Sequence, residues 1–286
     1  VNGKEPTEMS HATTKLDQIP MLGEGAKGRG TIIMIAGIVL VGLALALGLA
    51  KGDNLRHFSF AYLVGACWVL ALGLGGLFFC ILQHLTRAGW SAVVRRIAEM
   101  SAASLKLSAL LFVPVLLPTV FGYHELWWWI DSTAAHNDHL VHNKMGYLNM
   151  PFFIGRAVFY FTCWILMARY FVGKSLQQDE TGDHELTTKM QAAAPPMMLL
   201  FAKTTTFAAF DFVMSLDPHW FSTIFGVYFF AGCALSLFSM MALAVAIMRA
   251  KVPGYDKIVT PEHTHDIGKF MFGFTFFWGY VAFSQY

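Results

Sequence analysis

Seven apolar runs of about 20 residues recur along this chain, each long enough to cross a hydrocarbon core of ~30 Å as a helix. They occupy residues 31–50, 59–82, 97–120, 150–171, 196–215, 223–247 and 265–286. Lipid offers no partner to an unpaired backbone group, so helix is the state these runs must take. Buried helices of a soluble protein would need runs of only about 10–14 residues, and fewer of them. Only 13% of the 286 residues are charged, against about 25% in a soluble domain. The predicted fold class is an all-α integral membrane protein with seven visible transmembrane helices. The net charge of +2 gives no reason to expect a nucleic-acid partner.

Lysine and arginine set the orientation. Lys4, Lys15, Lys27, Arg29, Arg87, Arg95, Arg96, Arg169, Lys174, Lys189, Arg249, Lys251 and Lys257 fall on one side. Only Lys51, Arg56 and Lys144 fall on the other. This asymmetry predicts a cytoplasmic N-terminus, with residues 1–30 as a polar tail that holds no apolar signal-like stretch. Trp127, Trp128, Trp129 and Trp220 then belong to the outer interface and Trp90 to the inner one, as an aromatic belt. Residues 123–130 suit a short lid on the outer surface.

Four ionisable residues interrupt the apolar runs: Lys106, Arg156, Lys203 and Asp211. A charge at the bilayer centre costs at least ~2.5–3.5 kcal/mol, so it faces protein or a watery path. Arg156 lies ~9 Å inside the outer end of the fourth run and Asp211 ~6 Å inside that of the fifth. The two runs are antiparallel neighbours, so a pair is easily made. It is either a salt bridge ordering the bundle or an outer proton site, with burial and the cation pulling the carboxyl in opposite directions. Towards the inner side stand Glu99, Lys106, Lys203 with the hydroxyls of Thr204, Thr205 and Thr206, and then His265, Asp266 and Lys269. A proton route through this chain predicts two halves. Glu99, Lys203 and Asp266 form the inner one, flanked by Lys106, His265 and Lys269. Asp211 and His219 form the outer one, with Arg156 and Asp217 beside them. Asp266 and Lys269, three residues apart, can instead neutralise one another.

His136, His139 and His142 have a spacing that can bind zinc in isolation, but a solvated histidine-rich loop accounts for them, and no metal site is assigned. Cys67, Cys80, Cys163 and Cys233 all lie in apolar runs, with no CxxC or CxxCH, which gives no attachment site for c-type haem or an iron–sulfur cluster. His57 and His84 sit at opposite ends of the second run, so they do not form a haem-ligating pair; His84 reads as an interface residue.

Residues 62–67 (YLVGAC) align with 228–233 (YFFAGC), in helices that run the same way. That repeat implies two parallel four-helix units: residues 31–58 carry the first helix and outer loop, 59–215 the first bundle and 216–286 the start of a second. The sequence stops at Phe283-Ser284-Gln285-Tyr286 without a charged flank, which predicts a natural chain continuing past Tyr286.

The most distinctive stretch is residues 210–232, FDFVMSLDPHWFSTIFGVYFFAG. With it stand QHLT at 83–86, GWS at 89–91, RRIAE at 95–99, QDETGD at 178–183 and EHTHDIGK at 262–269. Over roughly residues 55–286 the chain closely resembles the ActF-type membrane subunit of alternative complex III, a bacterial quinol:cytochrome c oxidoreductase. That subunit is similar to the NrfD or polysulfide-reductase membrane subunits. The resemblance implies ten helices in two four-helix bundles, hence a C-terminally incomplete chain, in the bacterial inner membrane. It implies no cofactor on this chain, with haem c and iron–sulfur clusters in partner subunits. Those partners are a related NrfD-like membrane subunit, an iron–sulfur protein and c-type cytochromes. The family's quinol-oxidising site is attributed to the related membrane partner; the present type is often labelled quinone-binding, and is suspected instead of conducting protons.

Three functions follow as expectations. The first is a non-catalytic subunit of such a complex, scaffolding and conducting protons through buried charges. The second is a quinone or menaquinol site in this chain, with Arg156, Asp211 and His219 as its polar groups. The third is a secondary transporter, against which stands the limitation of helix-breaking prolines to Pro114 and Pro118 of the third run.

Overall fold

The computed structural model describes residues 24–285, and no strand occurs among them. Eight helices carry the fold: α1 (Glu24–Lys51), α2 (Arg56–Leu85), α3 (Arg95–Ala103), α4 (Leu105–Val120), α5 (Met150–Thr181), α6 (Glu185–Phe212), α7 (Phe225–Lys251) and α8 (Pro261–Phe283). Together α3 and α4 make one span, Arg95–Val120. It is broken at Ser104, where the hydroxyls of Ser104 and Ser108 bond the carbonyls of Ser101 (2.7 Å) and Ser104 (3.3 Å). Side chains that bond the preceding turn in this way bend helices.

Six helices are long and apolar enough to cross a membrane, the pattern of a multi-pass membrane protein. The seventh expected run is helical, as α8, but is not among the six. Glu262, Asp266 and Lys269 in its first turns dilute its apolar character. Two boundaries need correction. The polar tail expected over residues 1–30 gives way to helix at Glu24, and residues 1–23 lie outside the described part. The fifth helix does not start at Pro196 but at Glu185, and runs through Pro195 and Pro196. Hydropathy marks only the apolar middle of a longer helix, whose polar turns at the α5–α6 hairpin keep helical geometry. The hairpin reverses at Gly182, φ 66°, whose N–H bonds the Gln178 carbonyl at 2.8 Å. These internal prolines also mean that α4 is not the only proline-bearing span.

Helix α2 is central: 61% of its apolar window is buried, against 6% for α1. Close packing there depends on missing side chains. A Cβ at Gly76 would stand 2.5 Å from the Ala98 carbonyl oxygen, and one at Gly75 2.5 Å from that of Cys233. Helices α5 and α6 complete a bundle with α2 and α4, α7 lies against α2 and α6, and α8 covers α7 through Phe270 stacked on Phe238 at 4.8 Å. The arginine-rich turns gather at one end of the bundle, here the basic end. Residues 121–149 and 213–224 form the other, the loop end.

At the loop end the tryptophans depart from the belt expectation. Trp127 and Trp129 are fully buried, not spread on a surface. Trp127 packs on Phe153 at 4.9 Å, and Trp129 Nε1 donates to the Ser215 carbonyl at 2.8 Å. The expected lid is therefore a plug, because these rings find a deeper apolar seat between α5 and the 213–216 turn than at the surface.

Candidate functional site: a buried arginine–aspartate clasp

Asn149 starts α5 by accepting the Phe152 N–H at 3.0 Å, a side-chain cap for a free helix donor. This fixes the first two turns, and Arg156 and Tyr160, four residues apart, share the face towards α6. Asp211 occupies the last turn of α6 and is fully buried; Arg156 is 9% exposed. The guanidinium meets the carboxylate as a fork, Nε to Oδ2 at 2.8 Å and Nη2 to Oδ1 at 2.8 Å. Tyr160 donates its hydroxyl to Oδ2 at 2.7 Å. Arg156 Nη1 reaches the Tyr147 carbonyl at 3.0 Å. The rings of Tyr147 and Phe152 lie under the guanidinium, 3.8 and 4.3 Å from their centroids.

Every charged atom in this cluster has a partner. Two-point arginine–carboxylate geometry is the strong form of the ion pair, and ring faces stabilise the cation further. The carboxyl-bearing turn is itself held, because Ser215 Oγ donates to the Asp211 carbonyl at 2.5 Å. Further down the same interface Trp164 Nε1 donates to Thr204 Oγ1 at 2.9 Å, and that hydroxyl bonds the Leu200 carbonyl at 2.8 Å. Arg156 and Asp211 were legible in the sequence; Tyr160, Tyr147, Ser215 and Trp164 were not. Tyr160 had a signal, since it stands one helical turn from an intramembrane arginine.

Beside the clasp opens a cavity of about 510 Å³, lined by Lys144, Tyr147, Phe210, Ser215, Trp220 and Phe221 among others. Lys144 Nζ donates to the Pro218 carbonyl at 2.6 Å. The Tyr147 hydroxyl is buried with no hydrogen-bond partner among the described residues. Burial, then the nearby Asp211 carboxylate, pushes its phenol up to about 12.

The remaining expected residues lie apart from the clasp. His219 is half exposed in the loop, with Nε2 2.6 Å from Asp138 and Nδ1 3.6 Å from Asp217. It stacks on Trp128 at 5.7 Å. The Asp138 carboxyl is held below its ordinary value by the His219 hydrogen bond and the Val141 N–H, against a smaller opposing effect of burial.

At the basic end Glu99 is buried and closed on Arg95 Nε at 3.2 Å and Arg96 Nη1 at 2.8 Å, the second off hydrogen-bond geometry. Arg96 also pairs with Asp179 of α5. Asp266 pairs with Lys269 at 3.1 Å beside a second cavity, of about 520 Å³, lined by Trp90 and Phe270. His265, Lys106 and Lys203 are exposed. The structure thus brings Arg156 and Asp211 together, but joins neither Asp211 to His219 nor Glu99, Lys203 and Asp266 to one another. His84, expected at an interface, is 3% exposed and stacked on Phe171 at 5.5 Å. Among the described residues no three His, Cys, Asp or Glu side chains gather into a metal-holding set.

No protein-family model matches the chain, and a search of curated proteins finds no match.

Proposed function

We propose that this chain is a multi-pass membrane subunit of a quinol-oxidising electron-transfer complex of the alternative complex III type. In this reading it carries no redox centre, and it acts as a scaffold for partners that hold haem c and iron–sulfur clusters. The sequence resemblance supplies the complex. The observation that carries the scaffold role is the closure of the buried ionisable groups in pairs: Arg156 with Asp211, and Glu99 with Arg95 and Arg96. A proton conduit needs groups that exchange partners along a line; here Glu99 is closed within α3, while Arg156–Asp211 ties α5 to α6 and Arg96–Asp179 ties α3 to α5. The reading includes NrfD-like architecture, seven or more spans and the bacterial inner membrane, which the resemblance implies, and a cytoplasmic N-terminus, which the lysine and arginine asymmetry supports.

A second reading is favoured by one feature. The cavity beside the clasp is apolar, lies at the bundle's end and is bordered by Lys144 and Tyr147. That is the combination a quinol or quinone headgroup requires. Here Tyr147 and Lys144 are the polar groups, with Arg156 and Asp211 behind the tyrosine ring.

Purification of the assembly from its native membrane tests the first reading. Co-purification with multihaem and iron–sulfur subunits is expected; a lone homodimer would overturn it in favour of a transporter. Within the assembly, Asp211→Asn is expected to leave proton release coupled to quinol oxidation unchanged. Loss of that release with assembly intact would assign Asp211 a proton role. Loss of quinol binding in Tyr147→Phe alone would establish the second reading.

A further inference from the structure

Lys106 stands about 16 Å from Arg95 and about 21 Å from Val120 at 1.5 Å per residue, near the middle of the span Arg95–Val120. Its side chain is exposed, as are Ala103, Leu110, Val113, Leu117 and Val120 on the same face, in alternating steps of three and four residues. The opposite stripe of α4, Leu105, Ser108, Phe112, Val115 and Thr119, is buried against the bundle. The outward stripe is therefore an apolar seam with a single ammonium in it.

Lysine stems snorkel to the interface from positions near helix ends. Lys106 is about two turns or more from either boundary of a ~30 Å core. Among the described residues no carboxylate pairs with it. Among the described residues, Asp211 is sealed in its clasp, Glu99 is closed on arginine, Asp266 pairs with Lys269, and Asp179, Glu180 and Glu185 lie at span ends, so these helices in a second copy present no free carboxylate at that depth.

We propose that the exposed face of α4 seats a transmembrane helix of another polypeptide that places an Asp or Glu opposite Lys106. A three-four seam is the geometry of paired helices, and one charged seam position fixes their register and choice of partner. The proposal rests on the preceding reading only in requiring an assembly; it does not depend on quinol oxidation.

The test uses the full chain in its native membrane. A photo-reactive benzoylphenylalanine is placed at Leu110, and at the buried Phe112 as control, and the cross-linked peptides are sequenced. The Leu110 probe is expected to capture an apolar peptide of a different polypeptide containing Asp or Glu, and the Phe112 probe is not. Lys106→Met, which lipid tolerates, is expected to keep the yield of the chain while lowering partner recovery about tenfold or more. Lys106→Glu combined with lysine at the captured carboxylate is expected to restore recovery. Capture of lipid only, of this chain only, or of a helix without a carboxylate would overturn the proposal, as would failure of the charge swap. Haem-bearing subunits that co-purify while Leu110 meets only lipid would sink this seat alone. A captured acidic helix in an assembly without redox subunits would sink the preceding reading alone.

Discussion

Asp211 owes its place to three donors, so removing one partner costs more than the pair contributes. Breaking a buried ion pair from one side typically costs roughly 3–5 kcal/mol, whereas replacing both charges with apolar groups of similar volume is near neutral. Asp211→Ala and Arg156→Met are each expected to destabilise by about that amount, and the double variant Arg156→Met with Asp211→Leu to recover most of it. Denaturant unfolding in detergent micelles checks this; equal losses in single and double variants would refute the clasp. Asp138 makes a pH-dependent contribution. Its carboxyl is depressed below the ordinary 3.8 by His219, so its stabilisation of the loop contact is present above that value. It is lost as pH falls through the lower folded value. Hydrogen-exchange protection of the Leu140 and Val141 amides, which donate to Asp138 Oδ1, is expected to hold above the ordinary 3.8 and to fall below it. Asp138→Ala is expected to lack that protection already at pH 7.

At the scale of elements, close approach is decided by a few positions. Gly76 on α2 admits the backbone of α3, and any Cβ there meets the Ala98 carbonyl and the Ala102 nitrogen within 2.6 Å. Neither atom belongs to a side chain that can turn away. Gly76→Ala is expected to cost about 1–3 kcal/mol through overpacking, while Gly65→Ala on the same helix, where nothing lies within 4 Å, is expected to be neutral. Thermal unfolding of the two variants side by side makes the comparison. The α5–α6 hairpin is the best-tied pair of elements: Arg156–Asp211 at one end, Trp164–Thr204 in the middle and Gln178–Thr187 at 2.7 Å near the turn.

For the whole molecule, the apolar runs and the Arg156–Asp211 pairing were legible before any coordinates. A twenty-residue run without backbone partners in lipid has one available state, and an antiparallel pair of charges at similar depth has an obvious solution. What each helix face meets was not legible. Lys106, Lys203 and Asp211 look alike as interruptions of apolar sequence, yet Asp211 is sealed and both lysines face outward. Period and hydropathy carry no information about azimuth when a helix is apolar all round. The tryptophan run likewise reads as a belt, yet Trp127 and Trp129 pack as a plug. Helix, span and charge were determined locally by the sequence, because lipid penalises every alternative residue by residue. Inside and outside were decided only by tertiary packing, because that choice depends on which neighbours arrive.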